Sequence, residues 1–423
     1  MWLISLLHIL RSAIAIILVF VVCIVLHEFG HFYVAKKSGV AVPVFALGMG
    51  PKLFAFQRGG TEYSIRLFPI GGFVQLAGEM PQDAYFRIGE SVAYRLNDHG
   101  QISVLAEPDT IPDAPVGVVR ALDLMQKLTV TLETADGTLR TFPVQPHARV
   151  MTGPRSSIPI VEKREQLIGK PLSQRAAIIL AGPVMNFLLA GVLFSLAFIH
   201  FGMPSGQPVV GGVISGTPAA AAHLETGDRI VQAGQRPIDS WGQLVQAIHS
   251  DNTNPPRPVK LVVMHGSQRK VVEVKPELGP NGVPLLGIDS ALTHNPAKAF
   301  VHGFASVYTN SVSAIHLYGQ VIERHQFRDL SGPVGIADVI SQQAQTGIWQ
   351  VVYITALLSL NLGLFNLIPI PALDGGRLLF MVIELIRGKA VDPRKEGLVH
   401  LVGFGLLMVL TVVITYRDVV RFF

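Results

Sequence analysis

Four long stretches of the chain lack Asp, Glu, Lys and Arg, and they constrain the fold more strongly than any other feature. They cover residues 12–26, 176–203, 339–373 and 397–416, and apolar residues continue from the first stretch to Ala35. A bilayer-spanning α-helix needs about 20 apolar residues, so the sequence predicts a multi-pass α-helical membrane protein with four transmembrane helices. We expect the first helix to be retained, because no A-x-A cleavage site follows it.

The overall composition agrees with this prediction and excludes several classes of protein. Charged residues make up 15% of the chain, against about 25% in soluble domains. The net charge of +5 is small and the basic residues are not clustered, which argues against nucleic-acid binding. Cys23 is the single cysteine of the sequence. An intrachain disulfide and a cysteine zinc cage are therefore excluded, and any metal must be held by histidines and carboxylates.

Two basic segments predict the orientation of the chain in the cell membrane. Residues 34–80 contain five Lys or Arg against two acidic residues, and residues 375–398 contain five against three. Positively charged loops stay in the cytoplasm. Both segments are therefore predicted inside, with the N- and C-termini extracytoplasmic.

Two segments between the spans are predicted to face water. Residues 205–290 combine strand-like runs with the helical run WGQLVQAI, which indicates a small α+β module. Residues 83–160 are typical of β-hairpins, one of them with Asp136-Gly137 at a type I′ turn. Residues 297–327 form either an amphipathic helix at the outer surface or a plain connector.

The sequence HEFGH at the end of the first span carries the chemistry. Positions i and i+4 share one face of a helix, so His27 and His31 point at one cation, with Glu28 beside them to handle a proton. Two imidazoles, a carboxylate and an open position for water are typical of a hydrolytic zinc site. A chance occurrence is the alternative, but ionisable groups inside an apolar span are expensive and indicate function.

Asp374 is the candidate third ligand, at the inner end of the third span. The run NLIPIPALDGG places it after Pro369 and Pro371, which must break the helix. Broken backbone at membrane depth is tolerated where it lines a cavity. By loop charge and depth, Asp374 and His27 fall in the same cytoplasmic half of the membrane. The alternative is an acidic residue in a tight turn at the membrane boundary.

These segments together resemble one known family. HEFGH in the first span, AGPVMNF in the second and NLIPIPALDGG in the third are similar to the bacterial site-2 proteases, the RseP-type intramembrane zinc metalloproteases. LGMGPKLF and PIGGFVQLAGE resemble the membrane re-entrant β segment of that family. The resemblance covers most of the chain except residues 83–160. With one PDZ-like domain, the chain is more similar to the single-PDZ Gram-positive members than to those with two.

The resemblance implies a role for each matching residue. It implies Zn²⁺ as the cofactor, with His27, His31 and Asp374 as its ligands and Glu28 as the catalytic base. It also implies that four residues bind the unwound substrate: Asn186, Asn361, Asn366 and Pro371.

The implied activity is peptide-bond hydrolysis within transmembrane segments. The implied substrates are single-span membrane proteins in the lipid bilayer, such as anti-sigma factors or remnant signal peptides, with an upstream extracytoplasmic protease as a possible partner. The active site is expected near the cytoplasmic side. Residues 64–74 either add a strand to the substrate or form an interfacial hairpin without substrate contact.

Two other functions are weighed against the protease. A catalytically silent scaffold would bind partners through the PDZ-like module, and a transporter with broken helices would show internal repeats, which the sequence lacks.

The predicted order is a first transmembrane helix (1–35), a membrane re-entrant β segment (36–80), a cytoplasmic β-rich insert (81–165), a second transmembrane helix (172–203), an extracytoplasmic PDZ-like domain (204–292), a connector with an amphipathic helix (293–346), a third transmembrane helix with the LDGG sequence (347–376), a cytoplasmic loop (377–396) and a fourth transmembrane helix (397–420).

Overall fold

The structure of the protein is a computed structural model. It describes residues 2–79, 85–153, 156–250, 256–279, 283–324, 332–389 and 391–422. The chain forms two units, one of Met1–Leu193 with Phe304–Phe423 and one of Phe194–Gly303. The predicted boundary at residues 80 and 81, the start of the predicted hairpins at residue 83 and residues 325–327 of the predicted amphipathic helix lie outside the described residues.

Most of the helical residues belong to the first unit. In chain order, the α-helices of the described residues are α1 (Trp2–Lys37), α2 (Leu172–Phe201), α3 (Pro218–Ala221), α4 (Trp241–Ser250), α5 (Pro296–Glu323), α6 (Pro333–Thr346), α7 (Ile348–Leu367), α8 (Asp374–Arg387) and α9 (Pro393–Phe422).

The strands fall between α1 and α2 and between α2 and α5. They are β1 (Val44–Arg58), β2 (Thr61–Gln75), β3 (Ser91–Leu96), β4 (Ile102–Ala106), β5 (Val116–Asp123), β6 (Thr129–Glu133), β7 (Leu139–Gly153), β8 (Ser156–Pro159), β9 (Met203–Pro204), β10 (Val210–Val213), β11 (Arg229–Ala233), β12 (Arg236–Pro237), β13 (Val259–His265), β14 (Gln268–Val274), β15 (Glu277–Leu278), β16 (Pro284–Leu285), β17 (Ile288–Ser290) and β18 (Leu292–Thr293).

Four helices of the described residues are long and apolar enough to cross a membrane, which confirms the predicted number. Their candidate spans are Leu6–Lys37 in α1, Leu172–Phe201 in α2, Ile348–Leu367 in α7 and Lys395–Arg421 in α9. Many of their large apolar side chains are exposed on the protein surface, as expected where lipid tails replace water. The chain is therefore a multi-pass membrane protein.

The third span is shorter than predicted, and the predicted loop after it is largely helical. α7 ends at Leu367, and α8 occupies most of the segment 377–396 that was predicted to be a loop. Pro369 and Pro371 cause the break, because a proline has no N–H to donate and clashes with the preceding turn. Charge counting over residues 375–398 missed α8, because it ignores the 3.6-residue spacing of apolar side chains.

β1 and β2 form an antiparallel hairpin that follows α1 directly. The strands pair along their length with several register shifts. Large apolar side chains near the middle of both strands, such as those of Phe54 and Phe68, are exposed. Strong β pairing with an apolar exposed surface suits a segment that enters a membrane, and its location there stays a prediction.

Residues 91–159 form a small β-barrel. The sheet has the order β4-β3-β5-β6-β7-β8, and parallel pairing of β4 with β7 closes its first five strands. A core of buried side chains that includes Ile102, Leu105 and Leu132 fills it. The predicted hairpin between β6 and β7 exists, but its turn is not type I′. That turn needs positive φ at both central residues, and only Gly137 has one.

The second unit has the predicted α+β character. Strands β11 to β14 form an antiparallel sheet in the order β12-β11-β13-β14, and β10 pairs with β17. Leu244 of α4 packs in one core with Ile230 and Leu261 of this sheet. The amphipathic spacing of α4 explains this packing, since its apolar residues recur on one face.

Candidate metal centre

His27 and His31 lie on one face of α1 with their reactive nitrogens together. Their Nε2 atoms are 3.2 Å apart, and both side chains are buried. The four-residue spacing places them on adjacent helical turns. The structure therefore brings this predicted pair together.

Asp374 completes the group from the first turn of α8. Its Oδ2 lies 3.3 Å from Nε2 of His27 and 3.4 Å from Nε2 of His31. A tetrahedron with metal–ligand bonds of about 2.0–2.1 Å has edges of about 3.3–3.4 Å. The three separations lie within about 0.1 Å of these edges, so the site has dimensions that fit a zinc ion.

Hydrogen bonds on the far side of each ring turn the Nε2 lone pairs toward this centre. Nδ1 of His31 is 2.9 Å from the carbonyl oxygen of Ile178. A carbonyl only accepts, so Nδ1 carries the proton, and in the neutral ring Nε2 is then the free lone pair. Nδ1 of His27 is 3.1 Å from the side-chain amide of Asn186. The amide oxygen of Asn186 is buried without a hydrogen-bond partner among the described residues.

Metal binding through Nε2 of His27 needs the amide oxygen of Asn186, and not its nitrogen, to face Nδ1 of the ring. The oxygen and nitrogen of an amide are assigned from hydrogen bonding, and exchanging them lets Oδ1 accept the Nδ1 proton of His27. Nε2 of His27 is then also a bare lone pair. Oδ2 of Asp374 is buried and has no hydrogen-bond donor among the described residues. With this orientation three electron-pair donors face one another, and the buried Oδ2 of Asp374 without a donor is the observation that fits zinc to this site.

Gly182 of α2 leaves the space that the two imidazoles fill. A Cβ atom at this position would lie 2.6 Å from Cε1 of His31 and 2.8 Å from Cε1 of His27, and closer still to Nε2 of His31. Any larger residue would collide with the rings. Gly30 serves the packing of the same two helices, because a Cβ there would lie 2.7 Å from the carbonyl carbon of Ala181.

Glu28 lies beside the ligands and next to the hairpin. Its carboxylate interacts electrostatically with His31, His27 and Asp374. A Cβ placed on Gly72 of β2 would lie 3.2 Å from Cγ of Glu28. The predicted base is therefore held between the ligand cluster and the strand next to it.

The predicted substrate-binding residues have different surroundings. Asn186 is fully buried against His27. The side-chain amide of Asn361 donates to the carbonyl of Leu357 at 2.8 Å, and its oxygen accepts from the hydroxyl of Tyr318 on α5. Among the described residues, the side chain of Asn366 hydrogen-bonds to none. Pro371 is half-buried in the turn before Asp374.

Two ion pairs that the sequence patterns did not predict fix α8 in place. Arg377 pairs with Glu79, just after β2, and Arg175 of α2 pairs with Glu384. The Glu79 carboxylate raises the pKa of the Arg377 guanidinium above its ordinary value. From the sequence, Arg377 was considered only as one of the positive charges of a loop. Its position directly after LDGG was the available signal that it lies close to the third ligand, Asp374.

Comparison with known proteins places the same segments in one family. The chain matches peptidase family M50 over residues 15–410. It is 37% identical to the zinc metalloprotease RasP of Geobacillus kaustophilus, with 98% of this chain and 99% of that protein covered. It is 34% identical to the regulator of sigma-W protease RasP of Bacillus subtilis, with the same coverage of both.

A solved structure is similar to a smaller part of the chain. The PDZ domain of an SdrC-like protein from Listeria monocytogenes is 25% identical and covers 21% of this chain and 90% of its own, at a TM-score of 0.18. The PDZ-like assignment of residues 204–292 stays a prediction from the sequence and its α+β pattern.

Proposed function

The chain belongs to peptidase family M50, a family of zinc-dependent intramembrane proteases, and we propose that it hydrolyses peptide bonds within the transmembrane segments of single-span proteins. The observation that carries the proposal is the meeting of three buried electron-pair donors, from His27, His31 and Asp374, at the edge lengths of a zinc tetrahedron. Buried lone pairs that face one another repel, so this arrangement is favourable only with a positive charge between them, which a zinc ion supplies.

Each residue around this centre is proposed to have a separate chemical role. Zinc bound there would act as a Lewis acid that activates water and polarises the scissile carbonyl. Glu28 takes the proton that water loses and returns it to the leaving nitrogen. Asn186 holds the Nδ1 proton of His27 and so keeps Nε2 free, which is a positioning role beside the substrate contact predicted for this residue.

Substrate binding requires that a helix give up its own hydrogen bonds. An unwound segment exposes N–H and C=O groups, which cost several kcal/mol each in a lipid environment when unpaired. β2 ends next to Glu28 and offers strand pairing to such a segment. Asn361, Asn366 and Pro371 are proposed to contact the same unwound backbone from the α7 end.

The proposed setting is the cell membrane with both termini outside and the metal centre near the cytoplasmic side. This orientation rests on the basic loops at residues 34–80 and 375–398. The name of the Bacillus subtilis relative, regulator of sigma-W protease, supports anti-sigma factors as one substrate class, and remnant signal peptides are another. The PDZ-like domain is proposed to screen substrates that an extracytoplasmic protease has already shortened.

The test separates metal binding from catalysis in the full-length protein. Glu28→Gln is expected to retain zinc and abolish cleavage, whereas His27→Ala loses both. Glu323→Gln, at an exposed residue at the end of α5, is the control and is expected to behave as the unaltered protein. The measurements are zinc content after purification and mass spectrometry of membrane fragments that accumulate with Glu28→Gln.

Two results would contradict the proposal. Absence of bound zinc in the unaltered protein rejects the metal centre. Equal fragment patterns for Glu28→Gln and the unaltered protein, with partner binding intact, would instead support the scaffold alternative.

A further inference from the structure

The turn that carries Asp374 contains a strained residue. Ala372 has φ +79°, in the left-handed region that a residue with a Cβ rarely adopts. Such backbone strain persists only where the surroundings hold it in place. Since Ala372 lies two residues before Asp374, whatever holds it also controls the position of Oδ2.

His400 of α9 makes the contact that holds this turn. The backbone N–H of Ala372 donates to Nδ1 of His400 at 2.8 Å. A backbone N–H can only donate, so Nδ1 must be unprotonated and the ring acts as an acceptor at this atom. Nε2 of the same ring is buried and hydrogen-bonds to none of the described residues, and Oε1 of Glu396 is 3.9 Å away. The ring is thus oriented by Ala372 and not by Glu396.

Gly403, one helical turn further along α9, contacts the same turn. A Cβ atom at this position would lie 2.7 Å from the carbonyl oxygen of Pro371, and closer to its side chain. The absence of a side chain therefore lets α9 approach Pro371 directly. Gly405, two residues later, has nothing within 4 Å of the position where a Cβ would be.

We propose that His400 and Gly403 of the fourth span form a positioning pair that holds the turn 370–373 and thereby sets the place of the third metal ligand. His400 supplies the acceptor that keeps Ala372 in its strained conformation, and Gly403 supplies the close approach that fixes Pro371. The proposal rests on the proposed function of Asp374 as a zinc ligand. His400 touches no metal ligand and acts through Ala372.

The first experiment changes the acceptor and keeps the shape. His400→Asn places an amide oxygen at the position of Nδ1, and His400→Leu has nearly the same shape as Asn without an acceptor. Zinc affinity of the full-length protein is measured in detergent by competition with a chelator. His400→Leu is expected to weaken zinc binding about 10- to 100-fold, as loss of a residue that orients a ligand does, and His400→Asn to stay within about threefold of the unaltered protein.

A second experiment tests the turn without altering His400. Gly403→Ala is expected to weaken zinc binding by a similar factor, because the new methyl group displaces Pro371 and the residues after it. Gly405→Ala is the matched control on the same helix and is expected to leave zinc affinity unchanged, since its methyl group meets open space.

The outcomes separate this inference from the function on which it rests. If the unaltered protein binds no zinc, the proposed function fails. If it binds zinc and His400→Leu equals His400→Asn, the acceptor role is overturned and His400 is a packing residue beside Phe380, whose ring is 5.7 Å away. Equal zinc affinity of Gly403→Ala and Gly405→Ala overturns the role of the close approach.

Discussion

Replacing Gly182 by alanine tests the geometry of the metal centre most directly. An ordinary van der Waals contact starts at about 3.4 Å, whereas the new methyl group would lie 2.6 Å from Cε1 of His31. The ring must therefore retreat by at least about 0.8 Å. Metal–ligand distances tolerate about 0.2 Å, so His31 cannot keep its position as a ligand.

Both ways of relieving the clash between the new methyl group and the His31 ring cost free energy. Rotating the His31 ring away from Gly182 breaks its hydrogen bond to the carbonyl of Ile178. Separating α1 from α2 opens the close contact between Gly30 and Ala181; overpacking of this kind costs about 1–3 kcal/mol. Loss of a ligand should exceed the 10- to 100-fold range measured for residues that only orient ligands. We therefore expect zinc affinity to fall by at least about 100-fold, or about 2.7 kcal/mol.

The assay is chelator competition on the purified full-length protein, with thermal unfolding of the same sample. Gly405→Ala is the control, since it adds the same methyl group and the same gain in helix propensity, about 1 kcal/mol, where there is open space. A zinc affinity of Gly182→Ala within about threefold of this control would refute the inferred contact between α2 and the imidazoles.

Two further changes test contacts on either side of the centre. Asn186→Leu should weaken zinc binding about 10- to 100-fold, and the equally shaped Asn186→Asp should retain it because its oxygen still accepts the Nδ1 proton of His27; equal affinities in a chelator titration would contradict the amide orientation. Tyr318→Phe removes the hydroxyl that donates to the side-chain oxygen of Asn361. This oxygen can then accept a hydrogen bond from the substrate, so KM for cleavage should fall about 2- to 12-fold, the equivalent of one hydrogen bond. An unchanged or raised KM would count against Asn361 as a substrate contact.

The sequence was sufficient for those parts of the fold and the site that depend on local spacing. The i and i+4 spacing places His27 and His31 on one face, and charge-free windows identify the four spans. The helix break at Pro369 and Pro371 also followed from sequence, because both prolines are incompatible with a continuing helix, although the predicted third span wrongly ran on to residue 376.

Local spacing could not predict which distant strands pair, or which uncharged polar side chains support the site. Hairpin signals report only neighbouring strands, so nothing in residues 102–106 indicates parallel pairing with β7 and closure of the barrel. His400 lies inside a window chosen for lacking charge, where a histidine is not counted. A polar side chain within an apolar span was the available signal, and it would have pointed to the turn before Asp374.

The metal centre is supported from outside the segments that supply its ligands. α2 fixes the far side of both imidazoles through Ile178 and Asn186, and α9 fixes the turn before Asp374 through His400. Three converging lone pairs repel one another when no cation lies between them, and lipid cannot solvate them as water does. The neighbouring helices must therefore supply the rigidity that keeps the ligands in place before metal binds. This requirement explains why residues without direct metal contact, on spans that carry no ligand, are expected to control zinc affinity.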